Sequence, residues 1–149
     1  MLEFLKKLFA YDEWAIARSL GSIDPSGESK AKLLLSHILL AEKIWLTRLH
    51  GEDSSSIPTF EEYPREKCQE MAVELHRGYV EFIGALTETD LTRPITYKNT
   101  KGEEFTTPIG EILAHVGLHG VYHRGQIAWL VREDGGTAVD TDFIIFTRT

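Results

Sequence analysis

The stretch TPIGEILAHVGLHGVYHRGQIAWLVREDGG, residues 107–136, decides the reading of this chain. Thr107-Pro108 opens a helix, because proline is at ease where an amide proton would have no partner. Glu111 then lies in the first turn, next to the positive end of the helix dipole. The pattern runs without a break to about Asp134 and stops at Gly135-Gly136, which accept a left-handed cap without steric cost. Val116, Gly120, His123, Ile127 and Leu130 make its inward stripe, with His119 at the edge. A helix this long with an apolar stripe needs partner helices to cover it.

Three other segments supply them. The first, about Leu2 to Leu20, carries Leu5, Leu8, Phe9, Ile16 and Leu20 on one side and ends near Gly21; Asp24-Pro25-Ser26-Gly27 reads as a turn. The second, about Glu28 to Leu49, aligns Leu33, His37, Leu40, Ile44 and Leu49, and Gly51 through Pro58 reads as a loop. The third takes Pro64 as its first position and lines up Cys68, Ala72, Leu75, Tyr79, Phe82 and Leu86. Between the third and fourth, Ile95 and Tyr97 before Asn99-Thr100-Lys101-Gly102 and Phe105 after it predict a short β-hairpin. The expectation is an all-α fold, a four-helix bundle with a β-hairpin between helices three and four, as one domain over residues 1–149. The apolar tail, Thr137–Thr149 with Phe143-Ile144-Ile145-Phe146, should pack against the bundle or a neighbouring subunit.

Composition narrows the function. At 149 residues, 42% hydrophobic and 26% charged, the chain has the make-up of an ordinary globular domain. Sixteen basic and 23 acidic residues give a net charge of −7, and no basic face emerges, which argues against nucleic acid. No apolar run reaches the roughly 18 to 20 residues needed to cross a bilayer. The amphipathic, acid-bearing start MLEFLKKLFAYDEWA does not read as a signal peptide. A single cysteine, Cys68, precludes an internal disulfide and suits a reducing, cytoplasmic setting.

Half of the six histidines fall on the fourth helix, as His115, His119 and His123. A step of four residues turns about 40° and rises about 6 Å, so two imidazoles so spaced can meet one metal ion. In His119-Gly120-Val121-Tyr122-His123 a glycine stands where a metallopeptidase helix carries its glutamate, so a zincin-type activity is disfavoured. His37, set in the apolar stripe of the second helix, is the best third ligand, since three protein ligands plus an open position is a common catalytic arrangement. Spacing alone leaves a second reading open, in which these are core histidines bonded to nearby side chains. His115 drifts too far round the helix to join the set, His50 and His76 read as surface residues, and Cys68 reads as a small buried hydrophobe. Trp14, Trp45 and Trp129 read as core; Tyr11, Trp14 and Tyr122 are candidates to line a pocket by the site. Gln126 and Arg124 follow the ligand turn, where they could steady a ligand or bind an anionic substrate group.

These residues together resemble the DinB family, part of the DinB/YfiT-like superfamily of metal-binding bundles. The resemblance rests on Tyr11-Asp12-Glu13-Trp14, on Ser36-His37-Ile38 with Glu42 and Trp45-Leu46, on Ile95-Thr96-Tyr97 with Gly102, on Thr141-Asp142-Phe143-Ile144, and above all on His115 through Gln126. It implies metal ligation by His37, His119 and His123, with His115 outside the set. Tyr122 and Leu118 depart from the histidine and asparagine that relatives often carry there, neither at a ligand position. It also implies a homodimer and a divalent ion, nickel or zinc foremost, iron or manganese next. The function implied by the superfamily is that of a metal-dependent enzyme acting on a small molecule, in the manner of a transferase using a low-molecular-weight thiol. Two alternatives stand beside it. One is a metal-dependent hydrolase of a small amide or ester, for which Glu42 or Asp12 would have to serve as base. The other is a non-enzymatic, stress-associated metal-binding or interaction module.

Overall fold

The computed structural model describes residues 1–24 and 29–149. Four long helices dominate it: α1 (Leu2–Ser22), α2 (Lys30–Leu49), α3 (Arg65–Gly84) and α4 (Ile109–Glu133). Strands β1 (Pro94–Lys98) and β2 (Glu104–Pro108) form an antiparallel hairpin between α3 and α4, with Tyr97 opposite Phe105. A short helix α5 (Phe143–Phe146) lies in the tail. The expected all-helical bundle with its hairpin is therefore the observed architecture. Among the described residues no helix is long and apolar enough to cross a membrane.

Helix boundaries follow local chemistry. The Ser29 hydroxyl accepts a hydrogen bond from the Ala31 amide at 3.1 Å, so α2 opens at Lys30, after the expected Glu28. Of the expected turn at 24–27, residues 25–27 lie outside the described residues, as does Glu28. Pro64 precedes α3 in place of occupying its first position. Its extended ψ of 154° keeps it outside the helix while its carbonyl accepts from the Cys68 amide at 3.0 Å. Pro108 begins α4 in the same way. Gly102 in the hairpin turn and Gly135 beyond α4 have φ of 80° and 81°, a backbone region that costs glycine little.

Helices α1 and α2 each pack against both α3 and α4, and α2 lies most extensively along α4. Two apolar layers fill the interior. One joins Ile16, Leu20, Leu35, Leu39, Cys68, Leu75, Ile127 and Val131; the other joins Leu5, Phe9, Tyr79, Ile83, Ile109, Leu113 and Val116. Between them runs a buried polar level holding Asp12, Glu42 and Arg124.

The tail packs against its own bundle through α1. The Tyr11 ring meets Phe143 at 5.2 Å and Phe146 at 5.8 Å, and its hydroxyl donates to the Thr141 carbonyl at 2.7 Å. A Tyr11→Phe substitution keeps the ring contacts and removes that hydrogen bond, worth about 1 kcal/mol. Backbone amides of residues 141–146 should then exchange with deuterium about fivefold faster than in the parent. Unchanged tail exchange would show that the hydroxyl does not anchor the segment.

Candidate metal centre

Helix α4 turns differently from the sequence expectation. Its buried line is Ile109, Ile112, Leu113, Val116, Gly120, Arg124, Ile127 and Val131, so Arg124, only 2% exposed, sits where His123 was placed. The cause lies one turn back. A Cβ on Gly120 would stand 2.7 Å from both Arg124 Nη1 and Asp12 Oδ1. The missing side chain opens the space in which the guanidinium reaches across to α1 and donates to the Asp12 carboxylate at 2.5 Å. Glu42 of α2 completes the level, and Tyr79 of α3 donates its hydroxyl to the Glu42 carbonyl oxygen at 2.8 Å. Burial and the Asp12 carboxylate, to which it is hydrogen-bonded, push the Glu42 carboxyl well above its usual range, although Arg124 pulls the other way. Arg124 is thus occupied inside the protein and is not available to an anionic substrate. Asp12 and Glu42 are buried with it.

With Arg124 pointing inward, His119 and His123 emerge half-buried at the seam between α4 and α2, facing His37. Ring centroids are 5.0 Å apart for His37 and His119, 4.7 Å for His37 and His123, and 4.5 Å for His119 and His123. One nitrogen from each lies within 4.8 Å of the others. A tetrahedral cage with bonds of about 2.0 Å spaces its nitrogens roughly 3.3 Å apart, a gap that side-chain rotation closes.

Two of the rings have their tautomer set by a neighbour. His37 Nδ1 lies 2.6 Å from the Thr59 carbonyl oxygen, which only accepts, so Nδ1 carries the proton and Nε2 the lone pair. His123 Nδ1 is held in the same way by Gln126 Oε1 at 2.7 Å. Burial, reinforced by the neighbouring His123 and His37, lowers His119 to about 4, and burial also lowers His37, so both stay neutral near pH 7. Neutral imidazoles with outward hydrogen bonds are the donor set a divalent metal ion requires.

The other sequence candidates separate clearly. His115 sits beside the triad, its ring 5.8 Å from His119 and 5.2 Å from Trp45, outside the cluster of converging donors. His50 is exposed, whereas His76 is half-buried with Nε2 3.0 Å from Glu13 Oε2, not a free surface residue. Cys68 is buried, as expected. Trp14 and Trp45 are half-buried, but Trp129 is 58% exposed and is not core, because α4 carries a second apolar face turned outward. Tyr122 stands edge-on to His123 at 5.0 Å, whereas Tyr11 and Trp14 belong to the tail contact. Missed from the sequence were Thr59 and Phe60, whose ring stacks on His37 at 4.0 Å and 2°. They lie in an irregular loop, where the only hint was an aromatic residue shortly after Pro58.

A helical bundle with three imidazoles converging between two helices defines a class of proteins equipped to hold a divalent metal ion. The sequence pattern of the DinB family matches residues 22–149, and the chain belongs to that family. Protein DinB of Bacillus subtilis (strain 168) is 25% identical over 169 aligned positions, spanning 98% of this chain and 95% of that one. The crystal structure of a DinB-like protein from Bacillus cereus shares the fold, with a TM-score of 0.71 at 18% identity over 93% of this chain and 95% of the other.

The Glu42 shift has a consequence for stability. A carboxyl that keeps its proton in the folded state beyond its unfolded value of 4.5 makes folding less favourable as pH rises between the two values. Glu42→Gln is neutral throughout. Its melting temperature relative to the parent should therefore climb as pH rises above about 5. Parallel melting curves would show that Glu42 ionises normally.

Proposed function

We propose that His37, His119 and His123 hold one divalent ion through Nε2, and that the protein uses this centre to transfer a small thiol to an electrophilic molecule. The observation that carries the reading is the convergence of three imidazoles from α2 and α4, two of them steered by Thr59 and Gln126. Imidazole donors suit nickel or zinc, and also admit iron or manganese. When bound, such an ion supplies a positive charge that lowers the pKa of a thiol placed beside it. The thiol proton passes to solvent, the sulfur forms a bond to an electrophilic carbon, and the leaving group departs with the bonding pair. Phe60, stacked on His37 and largely exposed, offers an apolar wall for the electrophile. The thiol-transfer reading itself comes from the resemblance to the wider superfamily.

Hydrolysis of a small amide or ester is less well supported, because the candidate bases are both buried in the interior, Asp12 paired with Arg124 and Glu42 beside it. A cytoplasmic setting is supported by the single cysteine of the sequence, Cys68. A homodimer is supported by the outer face of α4, where Leu118, Val121, Tyr122 and Trp129 are all exposed within about 100° of arc.

Protein purified without an affinity tag should carry about one equivalent of metal per chain, and His37→Ala should lose most of it. The loaded protein should conjugate a bacillithiol-type thiol to a generic electrophile, and His37→Ala should not. Ester turnover without thiol would favour hydrolysis, and a metal that only raises the melting temperature would favour the non-enzymatic module. In sedimentation equilibrium the parent should be dimeric and Trp129→Glu monomeric; a monomeric parent would remove the dimer from the account.

A further inference from the structure

Arg48, in the last turn of α2, is buried to 8% exposure yet has no carboxylate partner. Among the described residues every ion pair within 4.0 Å involves other groups. Its guanidinium is nevertheless held firmly. The central carbon lies 4.7 Å from the Trp45 ring centre and 5.0 Å from that of Tyr97, and Nε donates to Ser54 Oγ at 3.1 Å. A buried cation without a counter-charge is costly, and two aromatic faces and one hydroxyl repay only part of that cost.

The same guanidinium borders a cavity of about 860 Å³ between the end of α2, the loop after it and the hairpin. No hydrogen bond from Nη1 or Nη2 to any described residue accompanies the Nε contact. Lys98 and Lys101 border the opening too, matched by Glu52, Asp53 and Glu104, so the rim as a whole does not favour a highly charged ligand. Asp53 already accepts from the Ser55 amide at 2.9 Å and the Ser55 hydroxyl at 2.7 Å.

We propose that this cavity binds a small molecule bearing one carboxylate, which pairs with the terminal nitrogens of Arg48 while its apolar part rests against Tyr97 and Ile44. The planar fork of a guanidinium matches a carboxylate in two parallel hydrogen bonds, and the aromatic rings and Ser54 fix that fork before the ligand arrives. The site stands whether or not the histidine triad holds a metal ion. It is not isolated from the triad, because the Trp45 ring that covers Arg48 also touches His115, the ring next to His119.

Benzoate, benzamide and phenyl phosphate serve as probes in a nuclear magnetic resonance titration of the full chain. Benzoate should bind saturably, moving the Trp45 indole, Ser54 and Tyr97 signals, and at least about tenfold more tightly than neutral benzamide. Arg48→Gln should weaken benzoate by a similar factor while melting no lower than the parent in anion-free buffer, since it removes an unpaired buried charge. Should that variant fail to fold, Arg48→Lys, which keeps the charge and loses the fork, is expected to weaken benzoate as well. Equal affinity for benzoate and benzamide, preference for phenyl phosphate, no saturable binding, or undiminished binding in a folded Arg48 variant would each overturn the assignment.

Discussion

The charge of Arg124 must be neutralised inside the bundle, and this requirement organises the molecule. Asp12 of α1 meets it directly, and Gly120 leaves the room for it to do so. Breaking a buried pair of this kind strands the remaining charge, which costs several kcal/mol. The pair therefore fixes the rotation of α4 against α1 more tightly than the apolar layers above and below, whose residues tolerate repacking. Glu42, kept protonated by burial and by Asp12, adds α2 to the same level without adding a second negative charge.

The position of the histidines follows from that rotation. Once Arg124 faces the centre, the residue before it lies about 100° round the helix, at the seam with α2. His123 and His119 share that seam, and His37 approaches it from the opposite wall. Helices α2 and α4 lie more extensively together than any other pair, so the three imidazoles sit at the most extensive junction in the bundle. A loop finishes the arrangement, with the Thr59 carbonyl orienting His37 and Phe60 covering its face. The polar level thus acts as scaffold for the cluster of three imidazoles.

Much of this was legible in the sequence. Four amphipathic stretches, the Asn99–Gly102 turn and the i, i+4 histidines gave the bundle, the hairpin and the candidate triad. What failed on the fourth helix had one cause: α4 is apolar around much of its circumference. Periodicity therefore could not choose between His123 and Arg124 for the interior, nor tell that Trp129 faces outward. The glycine four residues before the arginine was the available clue, since it marks where a large side chain can fold back against the helix. Thr59, Phe60 and the aromatic clamp on Arg48 arise from loop and hairpin approaching α2, contacts that no local pattern encodes.

Anomalous X-ray diffraction shows whether the three imidazoles meet on one ion. Crystals of tag-free protein, measured on either side of the absorption edge of the metal it carries, should show one strong peak per chain within bonding distance of Nε2 of His37, His119 and His123, about 2.0–2.2 Å. A peak elsewhere in the molecule, or one bonded to the α4 histidines with His37 Nε2 beyond bonding distance, would show that the three imidazoles do not share an ion.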